Sequence, residues 1–324
     1  MPFDPVPGIA EGIEGGGRPG IFTVRSTTMT IPSGLSAFPI TPSDANGRVD
    51  VAALRRLVAP LRAAGVESVG LLGSTGSYPY LSRAERRRAL DGALEEAGAS
   101  PVLVGIGALR TDEAVGLARD AKAAGAFAGL LAPVSYTPLT EEEVFEHFAT
   151  IARESGLPLC IYDNPGTTHF RFGPALIGRL SRLPGIVAVK SPAPAPAQVG
   201  AHLAELRSAA REGFAVGYSG DWHCVEALIA GGDAWYSVVA GLFPEVGVAL
   251  VRAVRSGDLA EARRLNVRLQ PLWDLFQDFS SLRVMYASAD LLGICRAVPP
   301  RPVLPLAGVA RQRVAETLRA LELV

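Results

Sequence analysis

Eight short apolar runs, each followed by a stretch of helical period, constrain this 324-residue chain more than any single motif in it. The runs are 35–38 (LSAF), 66–72 (VESVGLL), 101–106 (PVLVGI), 127–132 (FAGLLA), 158–162 (PLCIY), 185–190 (GIVAVK), 214–218 (FAVGY) and 234–240 (AWYSVVA). Amphipathic patterns at 51–64, 82–97, 111–124, 141–155 and 174–183 lie between them. Eight strand candidates alternating with helix candidates point to a closed parallel sheet rather than an open one. The expected fold is therefore α/β, a (β/α)8 TIM barrel with a C-terminal helical extension. Ser82, Thr111 and Thr140, each with a glutamate three residues on or nearby, read as helix starts. The acidic run 141–143 reads as a first helical turn favoured by the helix dipole, not as an acid/base pair.

The pattern also divides the chain. Residues 1–30 are rich in Gly and Pro without apolar periodicity, and are expected to form a flexible arm. Residues 31–243 hold the eight units and form the expected catalytic barrel. Residues 244–324 carry three or four further helical patterns with a Pro-rich hinge at 298–305.

A net charge of −1 provides no field to attract nucleic acid or anionic lipid, and no apolar run of about 18 residues exists to span a membrane. Cys160, Cys224 and Cys295 are widely spaced and read as small core residues in a reducing, cytoplasmic compartment. The four histidines are scattered singly, so a metal centre has little to be built from. One compositional fact is sharper: of the 31 Lys and Arg residues, only Lys122 and Lys190 are lysines. A chain that uses arginine for its cations, yet keeps a lysine in an apolar run, invites a role that arginine cannot fill. An amine can lose its proton and attack a carbonyl, whereas a guanidinium cannot.

In a TIM barrel the chemistry sits at the carboxyl ends of the strands. That rule selects Ser74, Thr75 and Ser77; Ser135 and Tyr136; Tyr162, Asp163 and Asn164; Lys190 and Ser191; Asp221 and His223; and Ser237. Lys190 closes Gly-Ile-Val-Ala-Val-Lys, where burial disfavours the charged form and so supplies free amine for attack on a ketone. The alternatives are a lysine snorkelling to solvent or pairing with a carboxylate. Tyr162, ending the preceding strand, is placed to relay protons to and from a carbinolamine; the alternative is an aromatic plug. Gly73-Ser74-Thr75-Gly76-Ser77 can converge backbone N–H groups and hydroxyls on a carboxylate, and it lacks the lysine of a nucleotide-phosphate loop. Asp221 and His223 read as polar substrate contacts, or, for Asp221, as a helix cap.

Several of these motifs, in their order, resemble the dihydrodipicolinate synthase / N-acetylneuraminate lyase family of Schiff-base barrel enzymes. The matching segments are Phe-Pro-Ile-Thr-Pro at 38–42, Gly-Ser-Thr-Gly at 73–76, Ser-Tyr-Thr-Pro at 135–138, Tyr-Asp-Asn-Pro at 162–165, Val-Ala-Val-Lys at 187–190 and Tyr-Ser-Gly-Asp at 218–221. The similarity spans roughly 33–324. It implies that Lys190 is the Schiff-base lysine, that Tyr162 and Ser74 form a proton relay, and that Tyr136 joins the relay from the neighbouring subunit of a tight dimer. It further implies a substrate site at Gly73, Ser74, Thr75 and Tyr236, and a homotetramer made of two dimers.

Three departures from the family pattern bear on the second substrate. Ser77 stands where glutamate is usual, Ser191-Pro192 follows the lysine, and Thr167 occupies the position of an arginine that grips the second carboxylate in dihydrodipicolinate synthases. The expected function is thus a lyase or aldolase acting on pyruvate or a related 2-oxo acid through Lys190, by aldol cleavage, condensation or dehydration. It needs no metal or organic cofactor. Its partners are a small-molecule 2-oxo acid and copies of itself, with neither nucleic acid nor membrane. The alternatives are the dihydrodipicolinate synthase reaction itself, with another group replacing the arginine, and a 2-oxo-acid-binding protein that has lost turnover.

Overall fold

The computed structural model describes residues 31–324, in which strands and helices alternate as far as Ser237 and helices alone follow. The arm expected at 1–30 lies outside the described residues. The strands are β1 (Gly34–Ala37), β2 (Ser68–Leu71), β3 (Val102–Gly105), β4 (Ala128–Leu131), β5 (Leu159–Tyr162), β6 (Ile186–Pro192), β7 (Ala215–Ser219) and β8 (Ala234–Ser237). All pair in parallel and in chain order, and β8 closes on β1, which is the expected (β/α)8 barrel. Between them run α1 (Val51–Ala64), α2 (Arg83–Ala97), α3 (Thr111–Ala124), α4 (Glu141–Ser155), the short α5 (Pro165–Thr168), α6 (Pro174–Ser181), α7 (Pro196–Ala209) and α8 (Asp221–Ile229).

Side chains leave a strand alternately to its two faces, so the barrel has two apolar layers. The outer layer, between sheet and helices, includes Leu54, Leu71, Phe148, Leu176 and Trp235. The inner one includes Leu103, Leu130, Cys160 and Ala188, with the rings of Phe38, Tyr162 and Tyr236. Two glycines make room for those rings. A Cβ on Gly70 would lie 2.2 Å from the Phe38 ring, and one on Gly217 would lie 2.5 Å from the Tyr236 ring.

Two of the expected helix starts hold. The Ser82 hydroxyl accepts from the Glu85 amide, and Thr140 and Glu143 cap each other reciprocally at the head of α4, with Glu141, Glu142 and Glu143 in its first turn. Thr111 does not cap: Arg110 occupies that position, and the Thr111 hydroxyl pairs instead with His147 Nδ1 at 2.9 Å. Beyond the barrel the described chain has five helices, not three or four: α9 (Pro244–Arg255), α10 (Leu259–Arg268), α11 (Gln270–Phe279), α12 (Ser281–Leu291) and α13 (Gly308–Ala320). Only Leu269 separates α10 from α11, and only Ser280, at φ 73°, separates α11 from α12. Breaks of one residue hardly disturb the apolar period, which is why the sequence reads as fewer helices. Among the described residues no helix is long and apolar enough to cross a membrane.

Candidate active site

Lys190 sits in β6 opposite Tyr162 of β5 and Gly217 of β7. Residues in register on neighbouring strands project to the same face, so lysine and phenol both enter the barrel mouth. Because β6 continues to Pro192, Lys190 is held by paired strand on both sides rather than at a fraying end. The side chain does not snorkel: the residue is 3% exposed. Its Nζ meets aromatic faces, 4.1 Å from the Phe38 ring centre, 4.2 Å from that of Tyr162 and 5.9 Å from that of Tyr236. Aromatic faces this close are attractive surroundings for a positive charge that forms in the course of a reaction, by about 0.5–2 kcal/mol per ring. An iminium on this nitrogen would carry such a charge until loss of a proton from the adjacent carbon turned it into the neutral enamine.

Beside the cage lies a triangle of polar atoms. Ser74 Oγ is 3.1 Å from Tyr162 Oη, and Asn164 Nδ2 donates to both, at 3.1 Å each. Ser74 belongs to the turn after β2, whose tight path depends on glycine: a Cβ on Gly73 would lie 2.8 Å from the Phe38 ring, and one on Gly76 would lie 2.8 Å from Leu72 Cα. Within the turn the Ser77 amide donates to the Ser74 carbonyl, and Thr75 is buried. Ser77 holds the left-handed conformation at φ 57°, and its hydroxyl pairs with Tyr286 Oη at 3.2 Å. Tyr286, on α12, donates in turn to the Thr41 carbonyl at 3.1 Å. A C-terminal helix therefore braces the turn after β2 through Ser77.

Of the expected site residues, the fold brings together Lys190, Tyr162, Ser74, Gly73, Thr75 and Tyr236. Tyr236 contributes its ring, buried completely, with its hydroxyl 3.7 Å from Cys160 Sγ. Tyr136 is not brought in: it stands on the loop after β4, 96% exposed. Asp221 does not cap its own helix, whose N-cap is Gly220. Its buried carboxylate accepts from Trp235 Nε1 (3.0 Å) and from the amides of Val238 (3.2 Å) and Val239 (2.7 Å), fixing the turn after β8. His223 Nδ1 lies 3.4 Å from the Ala193 carbonyl. Sequence reading assigned no role to Phe38, which looks like one more core residue at the end of an apolar run. Asn164 is selected by the strand-end rule alone, which attaches no role to it.

Asp163 follows Tyr162 and so points away from the mouth, into the outer layer. Burial pushes its carboxyl up to about 6, against weaker opposing effects of the Phe172 amide, Arg171 and the Ser191 hydroxyl. A carboxyl whose folded value is raised binds its proton more tightly in the folded state. Its contribution is therefore favourable at about pH 4 and is lost as pH rises through about 6. Asp163→Asn is expected to match the parent near pH 4 and to exceed its stability at pH 8 by up to about 3 kcal/mol. Thermal midpoints of both proteins at the two pH values check this; equal gaps at both would refute it.

The sequence profile of the dihydrodipicolinate synthetase family matches residues 31–321. A 4-hydroxy-tetrahydrodipicolinate synthase of Methylococcus capsulatus is 35% identical over 282 residues, covering 86% of this chain and 95% of its own. Among solved structures, a dihydrodipicolinate synthase of Agrobacterium tumefaciens superposes with a TM-score of 0.87 at 56% identity, covering 89% of this chain and 98% of that one. A chloride-inhibited dihydrodipicolinate synthase of Acinetobacter baumannii, complexed with pyruvate, gives a TM-score of 0.82 at 27% identity, covering 91% of this chain and 100% of that one.

Proposed function

Because the chain belongs to the dihydrodipicolinate synthetase family, we propose that it is a lyase holding pyruvate or a related 2-oxo acid as a Schiff base on Lys190. The observation that carries this reading is the buried amine inside three aromatic rings, in register with a phenol that is already hydrogen-bonded to a serine. The Lys190 amine adds to the 2-oxo carbon, giving a carbinolamine. A proton supplied through Tyr162 and Ser74 lets the hydroxyl depart as water while the nitrogen lone pair closes the C=N bond. The oxygen left without its proton then takes one from the adjacent carbon, and the C–H electron pair moves into the enamine. That enamine makes or breaks the carbon–carbon bond, or expels a β-hydroxyl. We assign the substrate carboxylate to the turn of Gly73, Ser74 and Thr75, and no metal or organic cofactor enters the steps.

Thr167 bears on the second substrate. A bidentate arginine clamp is strong and geometrically selective for a carboxylate, and a threonine hydroxyl cannot replace it. The preferred acceptor or leaving fragment is therefore an aldehyde without a second carboxylate. The competing reading is 4-hydroxy-tetrahydrodipicolinate synthase activity, favoured by the identity to proteins of that name and by Arg171, the cation carried by the same loop. Assays of pyruvate with aspartate semialdehyde, and with neutral and hydroxylated aldehydes, test this directly. Faster turnover with an uncharged aldehyde supports the first reading, and faster turnover with aspartate semialdehyde supports the second. No turnover with any acceptor, despite adduct formation, points to a binding protein.

The assembly and the compartment are part of the same proposal. The exposure of Tyr136 suits a side chain completed by a second copy of the chain, as in a dimer of dimers. Three free, buried cysteines suit the reducing cytoplasm.

A further inference from the structure

Asn164 stands at a position where its side chain is expected to do something else. It precedes α5 as the N-cap, and asparagine there ordinarily accepts from the first amides of its helix. Here the side chain makes no such bond. The helix start is served by its backbone instead, since the Asn164 carbonyl accepts from the amides of Thr167 and Thr168 and from both their hydroxyls. The amide group is thereby released towards Ser74 and Tyr162, with Nδ2 donating to both oxygens at 3.1 Å.

That donation has a consequence for where the hydroxyl protons point. Ser74 and Tyr162 bring two O–H groups to the triangle. One is used between the two oxygens, which lie 3.1 Å apart. The other cannot point at Nδ2, because an amide nitrogen accepts nothing. It must leave the triangle, and the cage holding Nζ adjoins it through the Tyr162 ring. We propose that Asn164 is the positioning residue of the proton relay: by donating to both oxygens it forces one hydroxyl proton outward, to the carbinolamine oxygen and back from the adjacent carbon. The inference rests on the Schiff-base reading of Lys190 and adds a component contained within one chain.

The test uses pyruvate as probe with two variants. Asn164→Leu removes both donors, and Asn164→Asp keeps the shape but replaces donors with acceptors, drawing the hydroxyl protons inward. The quantities measured are the end-point yield of borohydride-trapped adduct and the rate of deuterium exchange into the pyruvate methyl group, expressed per trapped adduct. The expected result is a near-parental adduct yield, with exchange per adduct lower by about 10²-fold in both variants. A purely structural role would lower adduct yield and thermal midpoint together and leave exchange per adduct unchanged; that result in either variant overturns the proposal. If the parent protein traps no adduct, the Schiff-base reading fails and the inference falls with it. An adduct with unaltered exchange overturns the inference alone.

Discussion

Lys190→Ala is expected to lower turnover by at least on the order of 10⁴-fold, because the covalent route has no other nucleophile to fall back on. The more incisive variant is Lys190→Arg. It keeps a cation beneath the rings of Phe38, Tyr162 and Tyr236 but cannot shed a proton and attack a carbonyl. Both variants are expected to be equally inactive and to fold, as near- and far-ultraviolet circular dichroism would verify. Retained activity in Lys190→Arg would mean that the amine serves only as a charge.

Tyr162→Phe is the second large effect. The ring remains over Nζ, so the cage that favours the iminium persists. What disappears is the hydroxyl between Ser74 and Asn164. General acid–base groups contribute about 10²–10⁴-fold, and kcat is expected to fall within that range while KM for the 2-oxo acid changes little. The substitution also leaves the Asn164 amide without one of its acceptors, at a cost of about 1–3 kcal/mol if water does not replace it. An unchanged kcat would remove Tyr162 from the relay. A KM that rises with kcat constant would make it a binding residue only.

Much of this site was legible in the sequence, and the reasons differ from residue to residue. Lys190 was legible because lysine is scarce here and because an apolar run leads straight into it. Tyr162 followed from the rule that strand ends carry chemistry and from the adjacency of consecutive strands in a barrel, which the register bears out. The eight strands were legible because each run is short, apolar and bounded. Their ends were less so: β6 continues through Ser191 and Pro192, and the eighth run stops at Ser237 to enter a tight turn.

What stayed hidden depended on direction rather than identity. Phe38 is one apolar residue among many until Gly70 and Gly73 are seen to leave space for its ring over Nζ. Asn164 and Asp221 both stand at helix starts, where a side chain of this type ordinarily caps. The first turns to the relay and the second to the backbone after β8, and neither orientation is encoded in local spacing. Ser77 looked like a loss of the family's glutamate, whereas its hydroxyl is tied to a tyrosine on α12, 209 residues further along the chain.

Borohydride reduction in the presence of pyruvate, followed by intact mass and peptide mapping, tests the central claim most directly. One reduced pyruvyl group per chain, confined to the peptide carrying Lys190 and absent from Lys190→Ala, is the expected result. A chain that remains unmodified by pyruvate and by longer 2-oxo acids, or an adduct mapped to Lys122 instead, would contradict it.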